Sequence, residues 1–360
     1  MKENSQPQKQ IKVLEISSYP PPRAGWGMRI YFLKQEMEKQ GHICEVLNTG
    51  KGRFLTDRDF IPVFSGLDYV KKVLKYRMKG YLIHMHLNGD SPKGFVLTTL
   101  ALLISLLTFR RPVITFHAGP VQKYFPQSKA PLLTPLYKFI FSAPRHIICN
   151  NEAVKQAIAG YGINPDKIIP IQAFSKQYLN FEKVQLKPQV EQFFDEHEPV
   201  ICSYVFFRPE FFIEDMIHAV AKLVKIYPKF GLIIMGSDLG SEDIQQLIKE
   251  LKLENHVILA GDQDHDAFLT IMTRSRLYLR TPFKDGVASS VLEALALKVP
   301  VVACDNGSRP AGAITYENRN IDDMVEKIRY VLENHEQVVQ QIKPPEIKDT
   351  IADEIKVLGL

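Results

Sequence analysis

Short apolar runs rich in β-branched residues alternate along this chain with longer stretches in which apolar positions recur every three or four residues. Runs of the kind that make buried strands stand at 11–17 (IKVLEIS), 42–47, 81–86, 112–116, 146–150 and 167–171, and helical patterns at 27–39, 95–109, 131–142 and 152–160. Strand and helix in repeated order predict a parallel sheet with helices on both faces. Residues 176–198 are charged and carry no strand pattern, and Pro199 then precedes a fresh run, VICSYVFF. The rhythm restarts there, with strands at 231–236, 256–261, 276–280 and 299–303 and helices at 212–226, 241–252, 265–273, 291–297 and 320–334. Two α/β units of doubly wound type are predicted, over 1–185 and 186–340, with 341–360 a helical tail expected to pack back towards the N-terminal domain. A ligand is expected at the carboxyl ends of both sheets, in a cleft between the units.

Composition narrows this picture without redirecting it. A chain of 360 residues exceeds what one core usually organises, and 45% hydrophobic with 24% charged residues is the make-up of a soluble globular protein. The net charge of +5 is modest, and no basic run is interleaved with aromatics, so no nucleic-acid partner is expected. Four cysteines, at 44, 149, 202 and 304, form no CxxC pair, which argues against a disulfide scaffold or a zinc site and suits a reducing cytoplasm. The first ten residues, MKENSQPQKQ, are polar and do not read as a secretory signal. FVLTTLALLISLLTF, 95–109, has no charge until Arg110 and Arg111. A spanning helix needs about 20 apolar residues, so this one is expected either to be buried against a sheet or to graze a membrane surface.

Two stretches carry candidate chemistry. The first strand leads into SSYPPPRAGWG in place of a GxGxxG turn; its prolines stiffen the backbone and Gly25 and Gly27 free it, in an ordinary connection or in a loop that approaches a ligand. In PFKDGVASSVLEALALKVPVVACDNG, residues 282–307, a carboxylate, Glu293, sits within a helix whose leucines and alanines face a core. Its neighbours at helical spacing, Gly286, Ser289 and Ser290, are small or polar, so something can lie against that side. Asp285 precedes Glu293 by eight residues, a rise of about 12 Å. A helix start with Gly286, Ala288 and Ser289 admits an anion. That separation suits one carboxylate on the hydroxyls of a sugar and the other on a ribose, with a diphosphate between them. His84 and His86 share a strand face, but no third ligand is near in sequence and no metal is expected.

The stretch DGVASSVLEALALKVPVVACD resembles the ExxxxxxxE helix and following PVVA strand of group 1 (family 4) glycosyltransferases. It is most similar to members with Asp for the first Glu, a Ser-Val pair (Ser290-Val291) before the second, and an RPxG segment (Arg309-Pro310-Ala311-Gly312) afterwards. The YPPP...G loop, with a helix and Gly-His after it, resembles the family's acceptor-side start, and TFHAG, with His117, its first-domain strand ending in histidine. This resemblance implies the GT-B fold, two facing Rossmann-like domains with a cleft between them. It implies Glu293 on the ribose, Asp285 and His117 on the transferred sugar, Gly286, Val287, Ala288 and Ser289 around the diphosphate, and Gly25 and Gly27 in the acceptor-side loop. The co-substrate it implies is a nucleotide-diphosphate sugar, with no cofactor and no metal. A retaining transfer follows, to a carbohydrate or lipid-linked acceptor, in cell-surface polysaccharide biosynthesis in the cytoplasm or at the inner face of the membrane. One departure stands out: YVFFRPEFFIED has Val205-Phe206 and Phe211 where the family has Gly-Arg and Lys. Arg208 and Arg280 are expected to supply the missing charge, and Gly236 is grouped with the donor-binding residues. A sugar-nucleotide epimerase of the same fold, or a binding protein of that fold without turnover, are the alternatives.

Overall fold

The computed structural model of the chain describes residues 10–20, 25–54, 59–117, 122–283 and 288–359. Contacts divide it into two units, Met1–Gln177 together with Lys348–Leu360, and Tyr178–Ile347. Residues 178–187 go with the second unit because their backbone is bonded there: His265 Nε2 meets the Tyr178 carbonyl at 2.9 Å and the Val184 amide donates to Thr270 Oγ1 at 3.2 Å.

The first unit runs β1 (Lys12–Ser17), α1 (Gly25–Lys39), β2 (Ile43–Asn48), α2 (Gly66–Met78), β3 (Leu82–Leu87), α3 (Pro92–Leu107), β4 (Val113–Phe116), α4 (Thr134–Ser142), β5 (His146–Cys149), α5 (Glu152–Ala159) and β6 (Ile168–Pro170). The second runs α6 (Pro188–Glu196), β7 (Val200–Tyr204), α7 (Ile213–Leu223), β8 (Gly231–Met235), α8 (Glu242–Glu250), β9 (Val257–Gly261), α9 (His265–Arg274), β10 (Tyr278–Arg280), α10 (Ser289–Ala296), β11 (Val301–Cys304), β12 (Ile314–Tyr316), α11 (Ile321–Glu333) and α12 (His335–Gln341). A last helix, α13 (Thr350–Val357), returns to the first unit and packs on α1.

Every strand pairing is parallel, and the strands are buried on both faces, as their Val and Ile content requires. The first sheet has the order β2-β1-β3-β4-β5-β6 and the second β12-β11-β10-β7-β8-β9. In such sheets the winding reverses between two neighbouring strands and opens a crevice at their carboxyl ends, where ligands bind. The reversal falls between β1 and β3 in the first unit and between β7 and β10 in the second.

Four elements were not legible in the sequence, among them α12, which follows α11 after a single residue. In α2 the buried positions, Tyr69, Val73 and Arg77, recur every four residues, but Leu67, Leu74 and Met78 are exposed, so apolar residues lie on both sides and blur the period. α6 starts at a proline and seals its unit with only Val190 and Phe193. β12 is three residues long. Among the described residues no helix is long and apolar enough to cross a membrane.

Gly236, one residue past β8, has φ +127°, donates its amide to the Gly261 carbonyl at 3.0 Å, and would bring a Cβ to 2.1 Å from the Val205 carbonyl oxygen. Backbone closes on backbone there, so nothing can move aside. Gly236→Ala is expected to destabilise the protein by at least about 2 kcal/mol in denaturant unfolding. Gly41→Ala, with φ +82° and nothing within 4 Å, is expected to cost only about 1 kcal/mol. Equal costs at the two positions would mean that backbone conformation, and not the close approach, accounts for Gly236.

Candidate active site

At the second unit's crevice, β7, β8 and β10 end side by side, β7 in Tyr204, β8 just before Gly236 and β10 in Arg280. Arg280 is buried; its Nη1 donates to the Tyr204 carbonyl at 2.7 Å and its guanidinium lies 5.3 Å from the Phe211 ring centre. It thereby joins the ends of β7 and β10, while the next residue, Thr281, donates to the Phe211 carbonyl at 2.5 Å. Arg208 stands out from the same edge with 54% of its side chain exposed, and among the described residues its guanidinium meets Glu210 at 3.9 Å and the Phe206 ring. Arg309, from the RPxG segment, donates to the Cys304 carbonyl at 2.9 Å and the Pro282 carbonyl at 2.5 Å, fixing where the chain leaves β10. Asp285, Gly286 and Val287 lie outside the described residues.

Ala288 is the N-cap of α10 and offers no side-chain acceptor to the first turn. The Val291 amide donates to the Ala288 carbonyl at 3.1 Å, whereas the Ser289 and Ser290 amides have no acceptor among the described residues and are open to a ligand. Tyr278 donates its hydroxyl to Ser290 Oγ at 2.8 Å, which ties the helix to β10. On the next turn Glu293 is 4% exposed, and its carboxyl has no hydrogen-bonding partner among the described residues. Burial alone raises its pKa from the ordinary 4.5 to about 8. An unpaired buried carboxyl is costly, which makes it a candidate for work on a ligand.

The first unit gathers a different set at its reversal. Glu15 on β1 stands directly opposite His84 on β3, and His86 is opposite Thr115 on β4. Glu15 Oε1 lies 2.9 Å from His84 Nδ1, and Oε2 lies 2.7 Å from His86 Nε2. His86 Nδ1 is in turn 2.8 Å from Nε2 of His117, which follows β4, and Trp26 of α1 stacks on the His117 ring with centroids 4.6 Å apart and planes 14° apart. Behind this chain, His84 Nε2 meets Thr115 Oγ1 at 2.7 Å, and Arg29 binds Glu354 of α13 at 2.5 and 2.6 Å through two nitrogens. Burial by itself would lower the His84 pKa, but the carboxylate of Glu15, with Glu354 behind it, outweighs that and raises it. His86 and His117 are pushed well below the ordinary imidazole value, by burial first and then by the neighbouring histidine. Both are neutral.

The sequence pointed to His117 but missed Glu15, Arg29, Thr115 and Glu354. The glutamate in the middle of an apolar strand was the available signal. Glu15, His84 and His86 together are a donor set of the kind that holds a metal, with Glu15 the third member that sequence spacing did not reveal. Each of those donor atoms is engaged by another side chain at 2.7 to 2.9 Å, so the set is complete as a hydrogen-bonded chain. In the acceptor-side loop, Gly25 begins α1, and a Cβ on Gly27 would make ordinary contact with Pro20 at 3.5 Å and Tyr19 at 3.7 Å, so a close approach does not explain Gly27.

Two family models match the chain, "Glycosyl transferases group 1" over residues 185–344 and "Glycosyltransferase Family 4" over residues 23–172. Among curated proteins, an uncharacterized glycosyltransferase of Methanocaldococcus jannaschii is 24% identical over 59% of this chain and 52% of its own length. The match thus spans about half of that relative. The alpha-monoglucosyldiacylglycerol synthase of Streptococcus pneumoniae is 21% identical over 81% of this chain and 70% of its own. Among solved structures, that of Anabaena HepE in complex with UDP superposes with a TM-score of 0.66 at 17% identity, covering 96% of this chain and 100% of its own. At that identity the likeness speaks for the fold.

Between pH 4.5 and about 8 the folded chain holds a proton on Glu293 that the unfolded chain has released. Stability should therefore be full at low pH and decline as pH rises through this window, by up to about 1.4 kcal/mol per pH unit. Glu293→Gln lacks this loss. Thermal melts of parent and variant should diverge in the variant's favour from pH 5 to pH 8, and parallel curves would mean that the carboxyl is not held protonated.

Proposed function

Because the chain belongs to the group 1 (family 4) glycosyltransferases and has their GT-B fold, we propose that it moves a sugar from a nucleotide-diphosphate donor to a carbohydrate or lipid-linked acceptor. Anomeric configuration is retained, and the product feeds cell-surface polysaccharide biosynthesis on the cytoplasmic side. The observation that carries this reading is Glu293: a buried carboxyl without a partner among the described residues, on the helix that begins at the crevice. A ribose offers two adjacent hydroxyls, and a carboxylate accepts from both. The start of α10, at Ala288 and Ser289, takes the diphosphate with help from Arg208, the more exposed of the two candidate cations, and Gly286 and Val287 are assigned to the same group by their place in the sequence. Arg280 and Gly236 shape the strand ends beneath it. Asp285 and His117 are assigned to the transferred sugar, and the loop with Gly25 and Gly27 to the acceptor. In this scheme the protein orients the partners and stabilises charge on the leaving diphosphate, with neither a metal ion nor a strong side-chain base.

Two accepted hydrogen bonds favour the ionised form of Glu293, so ligand binding at pH 7 should expel a proton. Calorimetry with UDP or GDP should give an enthalpy that varies with the ionisation enthalpy of the buffer, and identical enthalpies in all buffers would refute the ribose assignment. Glu293→Gln should weaken nucleotide binding by about 1.5 to 3 kcal/mol. Asp285→Asn should leave the bare nucleotide alone while weakening the full donor and slowing transfer. Free nucleotide released from sugar nucleotide without any acceptor would favour the epimerase, and no binding at millimolar nucleotide would favour a protein that has lost turnover.

Contact with a membrane surface belongs to the same reading. On α3, Val96, Leu103 and Leu107 are exposed at spacings of seven and four, Phe109 beyond it is 96% exposed, and α2 exposes Leu67, Leu74 and Met78. Residues 64–111 carry eight Lys and Arg against Asp68 and Asp90, a net of +6 in a chain whose total is +5. Apolar side chains among basic ones suit anionic lipid, at about 1 kcal/mol per basic residue. The protein should sediment with vesicles containing anionic lipid more than with neutral ones, and Leu103→Ser with Leu107→Ser should reduce this at least several-fold. Equal recovery with both kinds of vesicle would exclude the electrostatic part.

A further inference from the structure

The hydrogen-bonded chain Glu15–His86–His117 has a direction, and the direction follows from what each group is able to donate. A carboxylate only accepts, and Glu15 uses both oxygens, one on each imidazole of β3. His86 must therefore place its ring proton on Nε2, facing Glu15 at 2.7 Å. A neutral imidazole with its proton on Nε2 has a bare Nδ1, and that nitrogen lies 2.8 Å from His117 Nε2. One of the two must donate, and only His117 is able to. The proton of His117 is thus on Nε2, and its Nδ1 is left as an acceptor with no partner among the described residues. Trp26, stacked 4.6 Å away on the ring face, fixes the plane in which this lone pair points.

We propose that Glu15 and His86 are positioning residues that hold His117 in the Nε2–H tautomer, so that its Nδ1 is a permanent hydrogen-bond acceptor for a donor hydroxyl of a ligand. The depressed basicity of both histidines agrees with this, since a ring that took up a second proton would lose the acceptor. His84 carries the cationic role: flanked by Glu15 on Nδ1 and by Thr115 and Glu354 on Nε2, it balances the carboxylates and leaves His86 and His117 neutral. The chemical class recognised is a neutral hydroxyl, as on a sugar ring, and an anionic oxygen is disfavoured at the same nitrogen because it has no proton to give. That use of Nδ1 rests on the glycosyltransferase reading; the tautomer does not.

Two substitutions of His86 separate polarity from packing. A glutamine there is able to donate its amide to Glu15 and accept from His117 in the same sense as the imidazole, whereas phenylalanine keeps a ring and breaks the chain. Long-range proton–nitrogen NMR of the ligand-free protein at pH 7 should show His117 neutral, with its proton on Nε2, in the parent and in His86→Gln, and as a mixture of both tautomers in His86→Phe. A His117 that carries its proton on Nδ1, or on both nitrogens, in the parent overturns the proposal whether or not any variant folds. In turnover, kcat/KM for the sugar nucleotide should fall about tenfold in His86→Phe and stay within about twofold of the parent in His86→Gln, the loss expected for one hydrogen bond. Binding of the bare nucleoside diphosphate should be unchanged in both, and a tenfold loss in His86→Gln as well would refute the claim that polarity is what His86 supplies. If the parent neither binds nor turns over a sugar nucleotide while the NMR result is as stated, the transferase reading fails and the tautomer assignment stands.

Discussion

Glu15 has no exposed surface, and a carboxylate in the middle of a parallel sheet is tolerable only while proton donors face both of its oxygens. That requirement reaches through much of the first unit. His84 and His86 must alternate on the same face of β3, β3 must lie beside β1, and the cation on His84 must be offset in turn. Arg29 and Glu354 complete the balance: two carboxyl groups, one guanidinium and the imidazole of His84, whose pKa is raised, are buried side by side, drawing α1 and α13 onto the sheet. Removing any one member leaves a buried charge uncompensated, a loss of about 3 to 5 kcal/mol for an ordinary buried pair. Stability and site geometry therefore depend on the same few atoms.

The second unit treats a buried carboxyl in the opposite way. Glu293 meets no donor among the described residues, and burial raises its pKa to about 8. Glu15 is fully engaged and rigid, whereas Glu293 is in a state that only a ligand relieves. Both lie near the point where their sheet reverses its winding, which is where the backbone leaves room. Glu15 sits within β1, which borders the reversal of the first sheet, and Glu293 on the helix that follows β10, which borders the reversal of the second, the first acid orienting a neighbour and the second awaiting a ligand.

Much of the fold could be read from the sequence, because parallel strands buried on both faces are continuous apolar runs that periodicity detects. The elements that escaped have mixed or short signals: α2 exposes leucines, and β12 is too brief to pattern. Glu293 could be singled out because its neighbours along one helix are local. Glu15 could not, since its partners come from strands whose adjacency is a matter of sheet order, and no window along the chain contains β1, β3 and β4 together. The pairing of Arg29 with Glu354 is further still beyond local reading, the two standing 325 positions apart.

That last separation has a consequence in time. The ribosome delivers Arg29 early, and at about 5 to 20 residues per second its partner follows only after roughly 15 to 65 seconds. During that interval every residue of the second unit is made, and its sheet is free to form from contiguous chain. The first unit, although begun earlier, must wait with an uncompensated guanidinium until α13 emerges. The order of synthesis and the order of completion are thus reversed, and throughout that interval the nascent chain presents to whatever chaperones attend it an N-terminal unit whose strands are complete but whose last helix is missing.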